Sequence, residues 1–326
     1  MKKILILTDG KAGHENQSKA FARALGRDFD LLGVDFRSKA AKTLSYPLDR
    51  LGIRSLALLR FSGPVPRPGC YAAVIGTGSG TFYAAKALAR RLDVRCGAVL
   101  YPRGYSITSF DCILAPAFDR PRPAPNVVEI PANLVAADAA FYADGVAAFR
   151  EHYAKQTGRP LDTARQAVAV VIGGPNKCST MTPEWMHARL DGIFKRRQGS
   201  PPTEFWVTTS RRTPPEVEAV VDSYPWDYRL LFSKDHFNPI PAFVSLANEM
   251  YVTAESTGML SEACTFGTAT VHALDNLNPG PHKFRRFVED LVEGGYVDGA
   301  RKIDLSAQFA RASILLDVPA APGQDG

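Results

Sequence analysis

Short apolar runs alternate with stretches of helical periodicity along nearly the whole chain, and the alternation runs twice over. The first series opens with Ile4 to Leu7, too short for a helix and followed at once by the polar turn TDGKAG, which predicts a buried strand. Helical periodicity starts near Glu15, runs to Leu25 and stops at Gly26. DLLGVDF and a long helical segment follow; then YAAVIG, the turn GTGSGT and a helix through Ala84, Leu88 and Leu92; then the strand-like runs GAVLYP and DCILAP. The second series holds AVAVVIGG, a helix near Trp185 to Phe194, EFWVTTS, a helix after Pro214, YRLLFS, a helix around Phe243 to Ala247, MYVTAES, a helix from Gly258 to Phe266, and TVHAL. Strands alternating with helices predict an α/β architecture with a parallel sheet in each series.

A chain of 326 residues exceeds what one hydrophobic core supports, and 45% apolar with 22% charged residues is enough to bury a core in each half. The Ala-rich helical stretch from Asn133 to Tyr153, followed by the polar KQTGRPLDTA, marks the boundary. The expected division is 1–155, 156–305, and a last helix within 306–326 that returns to the first domain ahead of a tail, Pro319 to Gly326, with nothing to pack on. Ligands of such sheets bind outside the carboxyl ends of the strands, where loops enter helix N-termini. Two sheets facing a central cleft are therefore expected, with the informative residues in the loops directly after strands.

Composition removes several classes of function. Five cysteines, Cys70, Cys96, Cys112, Cys178 and Cys264, stand singly without metal-ligand spacing and read as reduced thiols. The basic start MKK leads into an apolar run that ends before Asp9, too short for a secretory signal, and no later segment approaches a membrane span, so a cytoplasmic protein is expected. A net charge of +6 permits an anionic partner, but the basic residues are dispersed and no aromatic-basic recognition motif points to nucleic acid. Between Arg37 and Arg67, Lys39, Lys42, Arg50, Arg54 and Arg60 alternate with Leu, Tyr and Phe; that mixture fits a helix on the anionic inner face of a membrane, or equally a core helix with a solvated basic face.

Five loops can carry chemistry. In the first, after the opening strand, Asp9, Lys11, Gly13, His14, Glu15 and Asn16 crowd together. A histidine, with an ordinary pKa of about 6.5, suits removal of a hydroxyl proton, and Asp9 can orient it or bind an acceptor. The second, Thr77-Gly78-Ser79 within GTGSGT, can present backbone amides to an acceptor; it is no dinucleotide fingerprint, because its third glycine position is Thr81 and it follows a later strand. In the third, Gly173 and Gly174 permit close approach of a ligand, with Asn176 and Lys177 beyond them. The fourth joins Ser210 and Arg211 in a hydroxyl- and guanidinium-bearing turn suited to a diphosphate. The fifth, Glu255-Ser256-Thr257-Gly258-Met259-Leu260-Ser261-Glu262, opens a helix whose free N–H groups suit phosphate, and Glu262, about one turn beyond Gly258, can accept two ribose hydroxyls.

Two metal signals fail. Asp28-Phe29-Asp30 matches a DxD pattern but begins a strand, which places it away from the carboxyl ends, and His236, His272 and His282 have no ligand spacing, so neither a metal nor another cofactor is expected.

TDGKAGHENQ, VIGGPNK, TTSRRTP, Asn238-Pro239 followed by FVSLAN, VTAESTGMLSEA and KFRRFVEDL together resemble, in order and over nearly the whole chain, the mitochondrial fission ELM-type family assigned as glycosyltransferases. That family in turn is similar to the GT-B superfamily, which includes the lipid-linked peptidoglycan precursor transferase and the lipid A disaccharide synthase. The resemblance implies two Rossmann-like domains, a nucleoside diphosphate sugar (expected to be UDP-linked) held by the C-terminal domain, an acceptor held by the N-terminal domain, and no required metal. Carried over, Glu262 holds the ribose, Ser256 to Ser261 with Gly173 and Gly174 surround the diphosphate, and His14 is the base. The chain departs from the superfamily pattern at Pro116-Ala117-Phe118-Asp119, where an acidic residue and a histidine precede the aspartate, and at Cys178, where an aromatic or histidine stands. The expected activity is inverting transfer to a lipid or lipopolysaccharide precursor. A sugar-nucleotide 2-epimerase of the same fold and a non-catalytic membrane adaptor are the rival expectations.

Overall fold

The computed structural model describes residues 2–136, 138–196 and 202–319, so most of the expected C-terminal tail lies outside the described residues. The chain divides into two compact units, 1–136 with 304–326, and 137–303.

The first unit runs β1 (Lys3–Thr8), α1 (Ala12–Ala24), β2 (Phe29–Phe36), α2 (Lys39–Arg50), β3 (Leu59–Phe61), β4 (Tyr71–Thr77), α3 (Phe82–Leu92), β5 (Arg95–Val99), β6 (Cys112–Pro116) and β7 (Val127–Ile130). Its sheet has the order β3-β2-β1-β4-β5-β6-β7, parallel except for β3, which lies antiparallel on β2. Ile4, Leu5, Ile6 and Leu7 are each at most 1% exposed, as a strand covered on both faces requires. The basic segment is not one amphipathic helix. Only α2 is helical at length; a 3₁₀ turn, Leu56–Leu58, and the edge strand β3 follow it. Ala41, Ser45 and Asp49, four residues apart, form its buried stripe. Asp49 anchors that stripe, because both its oxygens lie 3.0 Å from Lys86 Nζ and one accepts the Ser106 N–H at 2.7 Å.

The second unit runs α4 (Ala139–Thr157), β8 (Gln166–Val171), α5 (Pro183–Arg196), β9 (Thr203–Thr208), α6 (Pro215–Asp222), β10 (Tyr228–Leu230), α7 (Ile240–Leu246), β11 (Glu249–Thr253), α8 (Thr257–Thr265), β12 (Thr270–Leu274) and α9 (Lys283–Glu293). Its all-parallel sheet has the order β10-β9-β8-β11-β12. Here the structure moves the sequence boundary. The helix α4, placed by its position at the end of the first domain, packs on the second sheet through Phe149, whose ring sits 4.8 Å from Tyr228, 5.3 Å from Trp206 and 5.7 Å from Phe243. Gly145 takes Pro241 so closely that a Cβ there would overlap the proline ring.

The chain then re-enters the first unit as α10 (Ser306–Leu315), where Phe309 stacks on Phe21 at 6.4 Å and Arg311 donates to the Pro125 carbonyl at 2.9 Å. Each unit is thus a Rossmann-like parallel sheet, and in each the strand order reverses once, between β1 and β4 in the first and between β8 and β11 in the second. Such reversals open a crevice outside the carboxyl ends of the two strands. Among the described residues no helix is long and apolar enough to cross a membrane.

Candidate functional site

At the β1/β4 reversal, Gly10, at φ +78°, turns the chain so that α1 starts at Ala12, earlier than the apolar periodicity near Glu15. His14 thereby falls in the first turn of α1, with its Nδ1 3.1 and 3.2 Å from the two oxygens of Asp9. An ionised Asp9 makes Nδ1 the donor and leaves Nε2 as an acceptor. Burial works to raise the Asp9 carboxyl, but hydrogen bonds from Lys11 and His14 and their nearby charge outweigh it and hold it below its ordinary range. Lys11 Nζ supplies the shorter contact, 2.7 Å, from an exposed position.

The glycine loop after β4 makes room for this pair. Gly78, at φ +80°, lies so close beneath His14 that any Cβ would overlap the imidazole, and a Cβ on Gly80 would come within 2.9 Å of Asp9 Cβ. Thr77 points inward, 1% exposed, with its hydroxyl 2.6 Å from that of Ser18, so its side chain serves the core rather than an acceptor. Ser79 Oγ accepts from Lys42 at 3.2 Å. Glu15 accepts from Thr8 at 3.0 Å and pairs with Lys19 at 2.7 Å, while Gly13 and Asn16 are exposed beside it.

At the β8/β11 reversal the two loops are laced together by one buried carboxyl. Glu255, 3% exposed, accepts the Gly174 N–H at 2.8 Å and the Thr253 hydroxyl at 3.1 Å on Oε1, and the Asn276 amide at 2.8 Å on Oε2. Thr253 in turn accepts the Gly173 N–H at 2.9 Å. Glu255, expected at the donor, is therefore a brace, and Gly173 and Gly174 are small for the brace's sake: a Cβ on Gly173 would overlap Glu255 and one on Gly174 would overlap the Arg212 carbonyl. Asn176 and Ser210 are likewise spent on their own turns, Asn176 Oδ1 accepting Cys178 N–H at 2.7 Å and Ser210 Oγ accepting Arg212 N–H at 3.2 Å. Lys177 and Arg211 are exposed.

The start of α8 is the open part of this crevice. Ser256, the N-cap, makes no side-chain capping bond, and a Cβ on Gly258 would meet nothing within 4 Å. Thr257 and Met259 are half-buried there, whereas Leu260 is fully buried and Ser261 bonds back to the Thr257 carbonyl at 2.6 Å, which turns both into the core. Glu262 faces Tyr142 of α4, whose hydroxyl donates to Oε1 at 3.1 Å. Burial raises the Glu262 carboxyl above its ordinary range, with Tyr142 opposing more weakly.

Tyr142 and Asn276 escaped the sequence reading. The helical spacing of Tyr142, Phe149 and Tyr153 was a visible signal for the first; a lone amide in a polar loop gave none for the second. Of the departures, Phe118 is 5% exposed and therefore core, Ala117 sits in a 3₁₀ turn, and Cys178 belongs to the Asn176 turn. Asp30 of the DxD sequence accepts from Lys3 and from Tyr71, both at 2.9 Å, at the amino end of the sheet. Among the described residues no three His, Cys, Asp or Glu side chains are grouped to hold a metal ion.

The fold has relatives of known structure. The UDP-GlcNAc 2-epimerase of Neisseria meningitidis, solved with UDP-GlcNAc, is 11% identical at a TM-score of 0.51 over 97% of this chain and 99% of its own. A Listeria monocytogenes protein assigned as a UDP-N-acetylglucosamine 2-epimerase is 12% identical at 0.51, over 98% and 92%. Acinetobacter baumannii MurG is 14% identical at 0.44, over 98% and 94%. At these identities the likeness is one of fold, a GT-B-like pair of Rossmann-like units. By sequence the chain matches no curated protein. The family model of mitochondrial fission ELM1 matches residues 12–312, nearly the whole chain, and the chain belongs to that family.

Proposed function

We propose that the protein is an inverting glycosyltransferase that moves a sugar from a nucleoside diphosphate sugar, UDP-linked, to a hydroxyl of a lipid or lipopolysaccharide precursor at the inner face of the cytoplasmic membrane. The observation that carries this reading is the Asp9–His14 pair at the first reversal, an oriented imidazole with its Nε2 left to accept a proton. As the acceptor oxygen attacks the anomeric carbon, its proton passes to His14 Nε2, and the bond from that carbon to the diphosphate breaks on the opposite face. Asp9 offsets the imidazolium so formed. The second unit supplies the donor side. N–H groups at the uncapped start of α8 meet the diphosphate, Lys177 and Arg211 offset its charge, and Glu262 accepts the ribose hydroxyls. Gly78, Ser79, Lys11, Gly13, Glu15 and Asn16 surround the acceptor hydroxyl. The mechanism is metal-independent, and no further cofactor enters it.

Thermal-shift titration with UDP, GDP and UDP-sugars tests the donor side, since a ligand of the folded chain raises its apparent stability. UDP is expected to stabilise the parent and His14→Ala alike but not Glu262→Ala, while His14→Ala loses transfer by about 10²–10⁴-fold. Transfer that survives both substitutions would overturn these roles. The fold relatives named as UDP-GlcNAc 2-epimerases motivate a second reading, and epimerised sugar released without any acceptor would select it. Failure of every nucleotide to bind would leave the adaptor reading.

A further inference from the structure

The helix α2 turns Ala41, Ser45 and Asp49 to the core and leaves a second stripe outside. Ala40, Leu44, Pro47 and Leu51 recur at helical spacing on its outward half and are all exposed. Leu44 is 48% exposed, Leu51 73% and Ile53, just past the helix, 46%. Lys39, Thr43 and Arg50 form the adjoining exposed line, and Arg37 stands exposed just ahead of it. Acid is missing from this face. Between Asp35 and Asp93 the sole acidic residue is Asp49, and its carboxyl is buried against Lys86, Arg54 and the Ser106 N–H. Asp35 stands across from Arg60 on β3. We propose that the outward half of α2 docks on an anionic phospholipid surface, with Leu44, Leu51 and Ile53 entering the acyl boundary and Lys39 and Arg50 meeting the phosphates.

An apolar stripe edged by cations is what a helix lying in a membrane interface presents, because its apolar side chains leave water while the long basic stems reach the head groups. Charge complementarity selects this occupant over a second copy of the chain. An isologous contact through α2 would set Lys39 and Arg50 against the same residues of the partner, whereas an anionic surface answers both. The helix is also held firmly from behind. Lys86 of α3 grips Asp49, and Tyr46 stacks on Tyr105 at 4.5 Å. Lys42, on the same helix, donates to Ser79 Oγ at 3.2 Å, and Ser79 follows the Gly78 on which His14 rests. Docking by α2 therefore brings the loop that carries the candidate base toward the lipid head groups. That consequence rests on the transferase reading; the docking itself does not.

Sedimentation of the full chain with mixed phosphatidylglycerol–phosphatidylcholine vesicles, against phosphatidylcholine alone and at two salt concentrations, tests the surface. Leu44→Ser/Leu51→Ser and Lys39→Gln/Arg50→Gln run alongside; all four residues are exposed, so both variants should melt as the parent does. The parent is expected to partition onto the anionic vesicles and to lose binding with salt, and each double variant to partition at least about tenfold more weakly. In Leu51→Trp, emission should shift to the blue on anionic vesicles as the ring leaves water. No capture of the parent, capture that survives either double variant, or a Leu51→Trp spectrum unmoved by vesicles would each overturn the proposal. So would a parent that sediments as a dimer and becomes a monomer in Leu44→Ser/Leu51→Ser, which would assign the stripe to a second copy. UDP should stabilise the parent and both double variants alike, so its failure to bind speaks to the donor side and failed capture to this surface alone.

Discussion

The two strand-order reversals are the same device used in opposite ways. In the first unit the glycine loop lies under an imidazole, and Asp9 there is held by Lys11 and His14, whose side chains are 65% and 25% exposed. In the second unit the corresponding loops are sewn shut by Glu255, which has no solvent to exchange with and holds Gly174, Thr253 and Asn276 at once. One crevice holds side chains that reach solvent and the other a backbone fixed by a buried carboxyl; under the transferase reading proposed above, the second suits N–H dipoles that must not reorganise as a charged leaving group develops. Glycine serves both, for different reasons. Gly78 makes space for the His14 imidazole, and Gly174 makes space for the Arg212 backbone.

The sharpest way to break that contrast is to remove each carboxyl. Glu255→Ala strands a buried amide, hydroxyl and N–H together, and should cost the second unit about 3–5 kcal/mol in chemical denaturation. Asp9→Ala removes a carboxyl that is itself only 7% exposed, but its partners Lys11 and His14 reach solvent and can rehydrate, so it should cost less, about 1 kcal/mol. Similar losses for both would mean that the first loop is as much a brace as the second.

A smaller effect separates the glycines. In Gly174→Ala the new Cβ meets the Arg212 carbonyl, a backbone atom that cannot swing away, so a loss of about 2 kcal/mol is expected. Gly258→Ala meets nothing and replaces glycine within a helix, so stability in chemical denaturation should hold or rise by up to about 1 kcal/mol, while under the proposed reading the methyl group crowds the diphosphate and weakens UDP binding. Unchanged UDP affinity in Gly258→Ala would place the diphosphate elsewhere.

These pairs also show where sequence reading ran out. The runs Ile4 to Leu7 and AVAVVI announced central strands because a parallel strand covered on both faces needs a continuous apolar run, and the loops that follow them were found by position alone. The short strands β3 and β7 went unread: three residues at a sheet edge, or four after a proline-rich segment, carry no periodicity. Membership of α4 was invisible for a different reason, since Phe149 finds its partners at Trp206, Tyr228 and Phe243, far along the chain. The loops after β8 and β11 were legible, but Glu255 and Glu262 looked alike as carboxyls on one hydroxyl-rich segment. Only burial and the position of Asn276 distinguish the brace from the residue left at the crevice.

Glu262 gives the finest test of that distinction. Its carboxyl is raised by burial, so the folded chain keeps the proton to higher pH than the unfolded chain, whose group titrates near the ordinary 4.5. Stability from this group is therefore full below that value and falls as pH rises through the window up to the raised one, by at most about 1.4 kcal/mol per pH unit of window. Glu262→Gln keeps the shape, still accepts from Tyr142 and does not titrate, so the parent should lose stability relative to the variant across the window and then run parallel to it. UDP affinity should move the other way. Ionised Glu262 accepts two ribose hydroxyls where the protonated acid or the amide offers less, so the parent should bind UDP more tightly as pH rises while the variant stays flat. Stability and affinity profiles that superimpose for parent and variant would make Glu262 a second brace, and the two reversals would then differ less than their contacts imply.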